Sequence, residues 1–218
     1  MTTRAQLLLA AEELFARHGI AEVSLRQISA AAGQRNTAAA HYHFGDRTTL
    51  IREVLRTRLE TIDARRAALL AEAEPTAGQG VEVRMLVEAL VRPLAEQACR
   101  PGSHYVRFLQ RLFAHTGHDV RAFAELGGFD QSFAVARVVA TRLPNLKPDH
   151  ASARARWAGR LIISALADLE QSCADAEERQ EKRERQDTGA ATFADPGACT
   201  LALIDAVTGL LTAPQSPA

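Results

Sequence analysis

The helix punctuation between Gly19 and Asp46 constrains this chain more than any other feature, because it permits only short helices joined by tight turns. Gly19 supplies a left-handed stop after His18. Ser24-Leu25-Arg26-Gln27 forms a capping box, and Val23 before it can staple onto Ile28. The helix so opened places Leu25, Ile28 and Ala32 on one face and breaks at Gly33. Gln34-Arg35-Asn36 then makes a polar turn, and a third helix is predicted from Thr37 to about Phe44. Gly45-Asp46 ends it and re-caps a long fourth one.

Around this core of signals the periodicity is helical throughout. Thr3 is expected to cap a first helix whose Leu7, Leu8, Ala11, Leu14 and Phe15 repeat at three-to-four spacing. Leu50, Ile51, Val54, Leu55, Leu59, Ile62 and Leu69 continue that period in the fourth. Residues 75–80 read as a linker, and further helices are predicted at about 81–99, 103–115, 119–143, 151–176 and 196–211. Pro101-Gly102 and Pro144-Asn145 interrupt them, and 177–187 is crowded with charges of both signs. Aromatics make up only 5% of the chain and β-branched runs are scarce, which points to an all-α protein without a substantial sheet. The expected organisation is a three-helix helix-turn-helix domain over 1–47 and a helical domain over 48–218.

The formal net charge is zero, so charge has to be judged locally. Between Ser24 and Arg47 stand Arg26, Arg35 and Arg47 against the single acid Asp46, with His41 and His43 able to add partial charge. Cys99, Cys173 and Cys199 are odd in number and widely spaced, which fits reduced thiols, with a redox-sensing role open. No apolar stretch approaches bilayer length, and Met1-Thr2-Thr3-Arg4 runs straight into an amphipathic pattern, so a cytoplasmic protein that does not enter a membrane is expected. A Gly-rich phosphate loop, a nucleophile elbow and a paired-carboxylate arrangement are missing from the sequence, so an enzyme is not expected. His41-Tyr42-His43 and His115-Thr116-Gly117-His118 lack matching Cys or carboxylate partners, and neither a metal site nor a cofactor is expected.

Two short helices around a Gly turn form the arrangement that presents its second member to a major groove. Ala38, Ala39 and Ala40 are small enough for close approach to base edges, and Asn36, Thr37, His41, Tyr42 and His43 around them can hydrogen-bond to phosphates or bases. A plain pair of packed helices would also account for the turn. Taken together, Leu14-Phe15-Ala16-Arg17-His18-Gly19, Ser24-Leu25-Arg26-Gln27-Ile28, Ala32-Gly33, His41-Tyr42-His43-Phe44 and Arg47-Thr48-Thr49-Leu50 resemble the N-terminal domain of the TetR family of transcriptional repressors. The resemblance implies phosphate contacts from Tyr42, His43 and Arg47, places Thr37 and Ala38 near the bases, and puts Phe44 in the domain core. Here the turn before Phe44 is one residue longer than the common pattern, and His41 replaces a usual Tyr. Arg35 and Asn36 suit guanine and adenine edges respectively, and suit phosphates or solvent equally well.

The implied partners are a double-stranded DNA operator, a second copy of the chain and a small-molecule effector of unknown identity. A single helix-turn-helix touches few base pairs, which is an independent reason to expect a homodimer. Its interface would use the last two helices, through Trp157, Leu161, Ile162, Ala165, Leu166 and Leu169 on one and Leu201, Ile204, Val207, Leu210 and Leu211 on the other, residues that can also serve an internal core. The effector pocket implied by the resemblance would be walled by His104, Phe108, Leu112, Phe113, Phe129 and Phe133, and core packing explains those aromatics as well. A transcriptional repressor released from its operator by its effector is therefore expected. The alternative is a helical dimeric small-molecule-binding protein without specific DNA binding.

Overall fold

A computed structural model describes residues 1–72, 82–127, 130–141, 147–184 and 195–214. Ten α-helices and no strand occur among the described residues. They are α1 (Thr3–His18), α2 (Leu25–Ala31), α3 (Ala39–Phe44), α4 (Arg47–Glu72), α5 (Val83–Ala98), α6 (Tyr105–His115), α7 (Val120–Glu125), α8 (Asp130–Thr141), α9 (Pro148–Glu184) and α10 (Pro196–Thr212). The expected linker at 75–80, Pro144-Asn145 and Phe129 lie outside the described residues. Where one helix was expected over 119–143 there are two, α7 and α8, with Leu126 and Gly127 after α7 outside either helix and Gly127 at a φ of 88°. α9 runs on through the charged stretch to Glu184, because alternating acids and bases suit a solvated helix as well as a loop.

The chain divides into two compact units, Met1–Thr61 with His104–Asp130, and Ile62–Ser103 with Gln131–Ala218. In the first, α1 packs on α2, α3 and α6. Leu7, Ala11, Phe15, Ile28, Leu50, Val54, Tyr105, Phe108 and Leu112 form its core. Phe15 and Phe108 stack with ring centroids 6.0 Å apart. Burial of each such ring is worth about 2–3 kcal/mol. Polar ties complete the unit: the Tyr105 hydroxyl donates to the Leu55 carbonyl at 3.1 Å, and buried Glu12 accepts from the His104 amide at 3.3 Å and pairs with Arg58.

In the second unit α5, α9 and α10 pack on one another through Leu86, Val87, Val91, Ile162, Leu166, Leu169, Leu203, Ile204, Val207 and Leu211. Asp195 caps α10 by accepting from the Gly197 amide at 2.9 Å, with Pro196 at its first position, and Arg84 of α5 pairs with Asp205 of α10. Pro93 sits inside α5 and has no N–H, so the Ala89 carbonyl lacks its usual partner four residues on. The buried Arg66 of α4 fills that role: its Nε donates to Ala89 O at 3.2 Å, while its Nη1 pairs with Asp63.

Candidate nucleic-acid interface

The site is built by the punctuation on which the sequence turns. Thr2, not Thr3, caps α1, its hydroxyl accepting from the Ala5 amide at 3.3 Å. A cap residue must itself be extended, and Thr3 has already entered the helix. Gly19 at φ 90° closes α1, its amide donating to Phe15 O at 2.9 Å. The capping box at α2 is complete: the Gln27 amide donates to Ser24 Oγ at 3.2 Å and the Ser24 amide to Gln27 Oε1 at 2.8 Å. Gly33 ends α2 at φ 69°, its amide on Ala30 O and the Gln34 amide on Ser29 O, both at 3.0 Å.

Between the two helices Asn36 does the turning. Its Oδ1 accepts from the Ala38 amide at 2.9 Å and its carbonyl from the Ala39 amide at 3.0 Å. This side-chain turn competes with helix, which is why α3 begins at Ala39 and not at Thr37. Ala39, Ala40 and Phe44 face inward and are buried, so two of the three alanines expected to approach bases instead let α3 sit close against the domain. Arg4 lies over the Phe44 ring at 5.4 Å from its centroid and pairs with Glu53.

The orientation of α3 depends on a residue with no obvious mark in the sequence. Ser29 is buried, its hydroxyl donates to Leu25 O at 3.0 Å, and the same oxygen accepts from the Ala40 amide at 3.0 Å. One side chain thereby bridges α2 and α3. Its position beside Ile28, on the apolar side of α2, was the available signal. At the other end Asp46 caps α4, its carboxylate accepting from the Thr49 amide at 2.8 Å; that bond chiefly holds its carboxyl below the usual value.

What remains outward is a continuous polar set. Arg35, Asn36, Thr37, Ala38, His41, Tyr42 and His43 are all exposed. Tyr42 is 84% exposed, its only ring contact among the described residues an edge-on one with His43 at 5.4 Å. Arg47 is half-buried, and its Nη1 donates to the carbonyls of Ile20 and Ala21 at 3.1 and 3.3 Å, tying the start of α4 to the turn before α2.

The residues named for an effector pocket are placed differently. Phe108, Leu112 and Phe113 are buried in the first unit, Phe108 against Phe15 and Tyr105, and Phe113 edge-on to Phe123 and His118. His104 is half-buried at the start of α6. The Phe133 side chain lies outside the described residues. Of the two expected interface helices, α9 leaves Trp157 54% and Leu161 38% exposed, and α10 leaves Leu201 exposed. Ile162, Leu166, Leu169, Ile204, Val207 and Leu211 face the core of the second unit. No described helix is long and apolar enough to cross a membrane.

Residues 7–54 match the family of bacterial regulatory proteins known as the tetR family. The fold is similar to that of native NalD, the secondary repressor of the MexAB-OprM multidrug efflux pump in Pseudomonas aeruginosa, at 20% identity, over 98% of each chain and with a TM-score of 0.51. Salmonella enterica GusR is matched at 19% identity over 96% of this chain and 95% of its own, with a TM-score of 0.44. No curated protein matches the chain by sequence.

Proposed function

We infer that this DNA-binding transcriptional regulator, a member of the TetR family by its residues 7–54, works in the cytoplasm as a homodimeric repressor that a small-molecule effector releases from its operator. The observation that carries the reading is the exposed edge of the helix-turn-helix, with Tyr42 standing almost free in solvent on a helix braced by Ser29 and Phe44. Such a braced, protruding helix can enter a major groove without rearranging, which keeps the ordering cost of binding low. Tyr42, His43 and Arg47 are assigned to phosphates, and Thr37 and Ala38 to the groove edge beside the bases. Arg35 and Asn36 reach either. Asn36 has its Oδ1 engaged by the Ala38 amide, which leaves its NH₂ to donate.

The second copy docks on Trp157 and Leu161, which lie one turn apart on the same side of α9, and on Leu201 of α10. Two such modules would then read half-sites about 34–36 Å apart. An effector releases the operator only if it binds the DNA-incompetent state more tightly. The match of residues 7–54 to the family is what supports that step. Phe108 and Leu112, wholly packed in the first unit, serve its core.

Titrating the purified chain with DNA from its own upstream region, at several salt concentrations, tests the assignment. Expected is a sequence-dependent affinity that survives physiological salt and falls about tenfold or more in Tyr42→Ala. Affinity that ignores sequence and vanishes at physiological salt would leave a helical, dimeric small-molecule-binding protein in its place.

A further inference from the structure

Two of the three cysteines meet. Cys199 is exposed on α10, whereas Cys99, at the end of α5, and Cys173, on α9, are half-buried with their sulfurs 2.8 Å apart. They adjoin a buried polar chain in which Gln97 Nε2 donates to Ser103 Oγ at 3.1 Å and the Ser103 hydroxyl donates to Glu170 Oε1 at 2.8 Å, with Glu170 only 1% exposed. Packing alone would be served by alanine or valine at either position. Two thiols in direct contact have one chemistry that no other pair of small side chains has.

We propose that Cys99 and Cys173 are an oxidant-responsive dithiol, a modification site at which a hydroperoxide converts the pair into an intramolecular disulfide tying α5 to α9. To reach a bonding distance of about 2.05 Å the sulfurs need close by only about 0.8 Å. Burial, the neighbouring Cys173 and the charge of Glu170 push the Cys99 thiol up to about 12, so Cys99 is assigned the second, resolving step. The Cys173 thiolate attacks one peroxide oxygen: an S–O bond forms, the O–O bond breaks, and the departing hydroxide takes up the proton Cys173 released, giving water. The Cys99 sulfur then attacks Sγ of the sulfenic acid. The S–S bond forms, the S–O bond breaks, and the hydroxyl leaves with the Cys99 proton as a second water. Two thiols lose two electrons, and one hydrogen peroxide becomes two waters.

The site does not depend on the chain binding DNA, and its test is chemical. The reduced full-length chain is treated with hydrogen peroxide, free thiols are blocked with iodoacetamide in urea, and a non-reducing digest is read by mass spectrometry. Expected are a joined peptide pair carrying Cys99 and Cys173, lighter by two hydrogens than its parts, and Cys199 recovered alkylated. The Cys199→Ser chain gives the same pair in the same yield. The oxidised chain melts at a higher temperature than the reduced one, and dithiothreitol reverses the rise, since the bond closes a long loop. Recovery of Cys99 and Cys173 both alkylated while Cys199 is oxidised, or of either joined to Cys199, overturns the proposal, as does an unchanged melting temperature.

Discussion

The Ser29 hydroxyl and the Ala40 amide meet at 3.0 Å, eleven residues apart in sequence, and join the two helices that make the candidate DNA-reading surface. Ser29→Ala would leave a buried N–H without its partner, a loss of about 1–3 kcal/mol. The variant should unfold at lower urea concentration and bind upstream DNA more weakly than wild type, although Ser29 is itself buried and touches no DNA in this reading. Unchanged stability would mean that α3 is held by Phe44 and the alanines alone.

Arg47 has two jobs in the proposed reading, and they separate experimentally. Its Nη1 braces the turn before α2 through Ile20 and Ala21, and its remaining N–H groups are assigned to a phosphate. Arg47→Met should cost about 1 kcal/mol of stability in urea denaturation for the brace. It should also reduce the slope of log affinity against log salt by about 1 for the phosphate. A full slope with weakened binding would assign Arg47 to the brace alone.

Trp157 is exposed on α9, and replacing an exposed residue normally changes stability by no more than about 0.5 kcal/mol. If the proposed interface holds, Trp157→Glu should therefore fold normally but sediment as a monomer at concentrations where the wild type sediments as a dimer, because a carboxylate would have to be desolvated in an apolar contact. DNA affinity should fall with it. A Trp157→Glu dimer would move the interface elsewhere.

Asp46 gives a pH dependence with a definite sign. Its carboxyl is held below its ordinary value of 3.8, chiefly by the Thr49 amide, so its cap contributes fully above that value and is lost as pH falls through the lower folded value. Acid unfolding of Asp46→Asn, followed by circular dichroism from roughly pH 5 to pH 2, should depend less steeply on pH than that of the wild type. Identical profiles would show that the cap is immaterial to acid stability.

The sequence was most legible where a local rule has a single physical solution. Ser24 and Gln27 can cap each other only at a helix start, and Gly19 and Gly33 adopt the positive φ that other residues resist, so those boundaries were readable. The start of α3 was not, because Asn36 supports a turn or a helix on equal local terms and its own side chain decides. Nor was the inward face of α3: with only six residues, Ala39 and Ala40 show no period to follow. The packing of α6 on α1 through Phe108 and Phe15 joins residues far apart in the chain, and nothing in either segment names the other.

Arg66 and Pro93 behave as one inherited character spread over two positions. A chain that lost Arg66 while keeping Pro93 would strand the Ala89 carbonyl inside the protein. A chain that first exchanged Pro93 for alanine would regain the bond within α5, and since a carbonyl accepts two donors, Arg66 could stay in place meanwhile. Divergence at this spot is therefore directional: the proline has to go before the arginine is free to change.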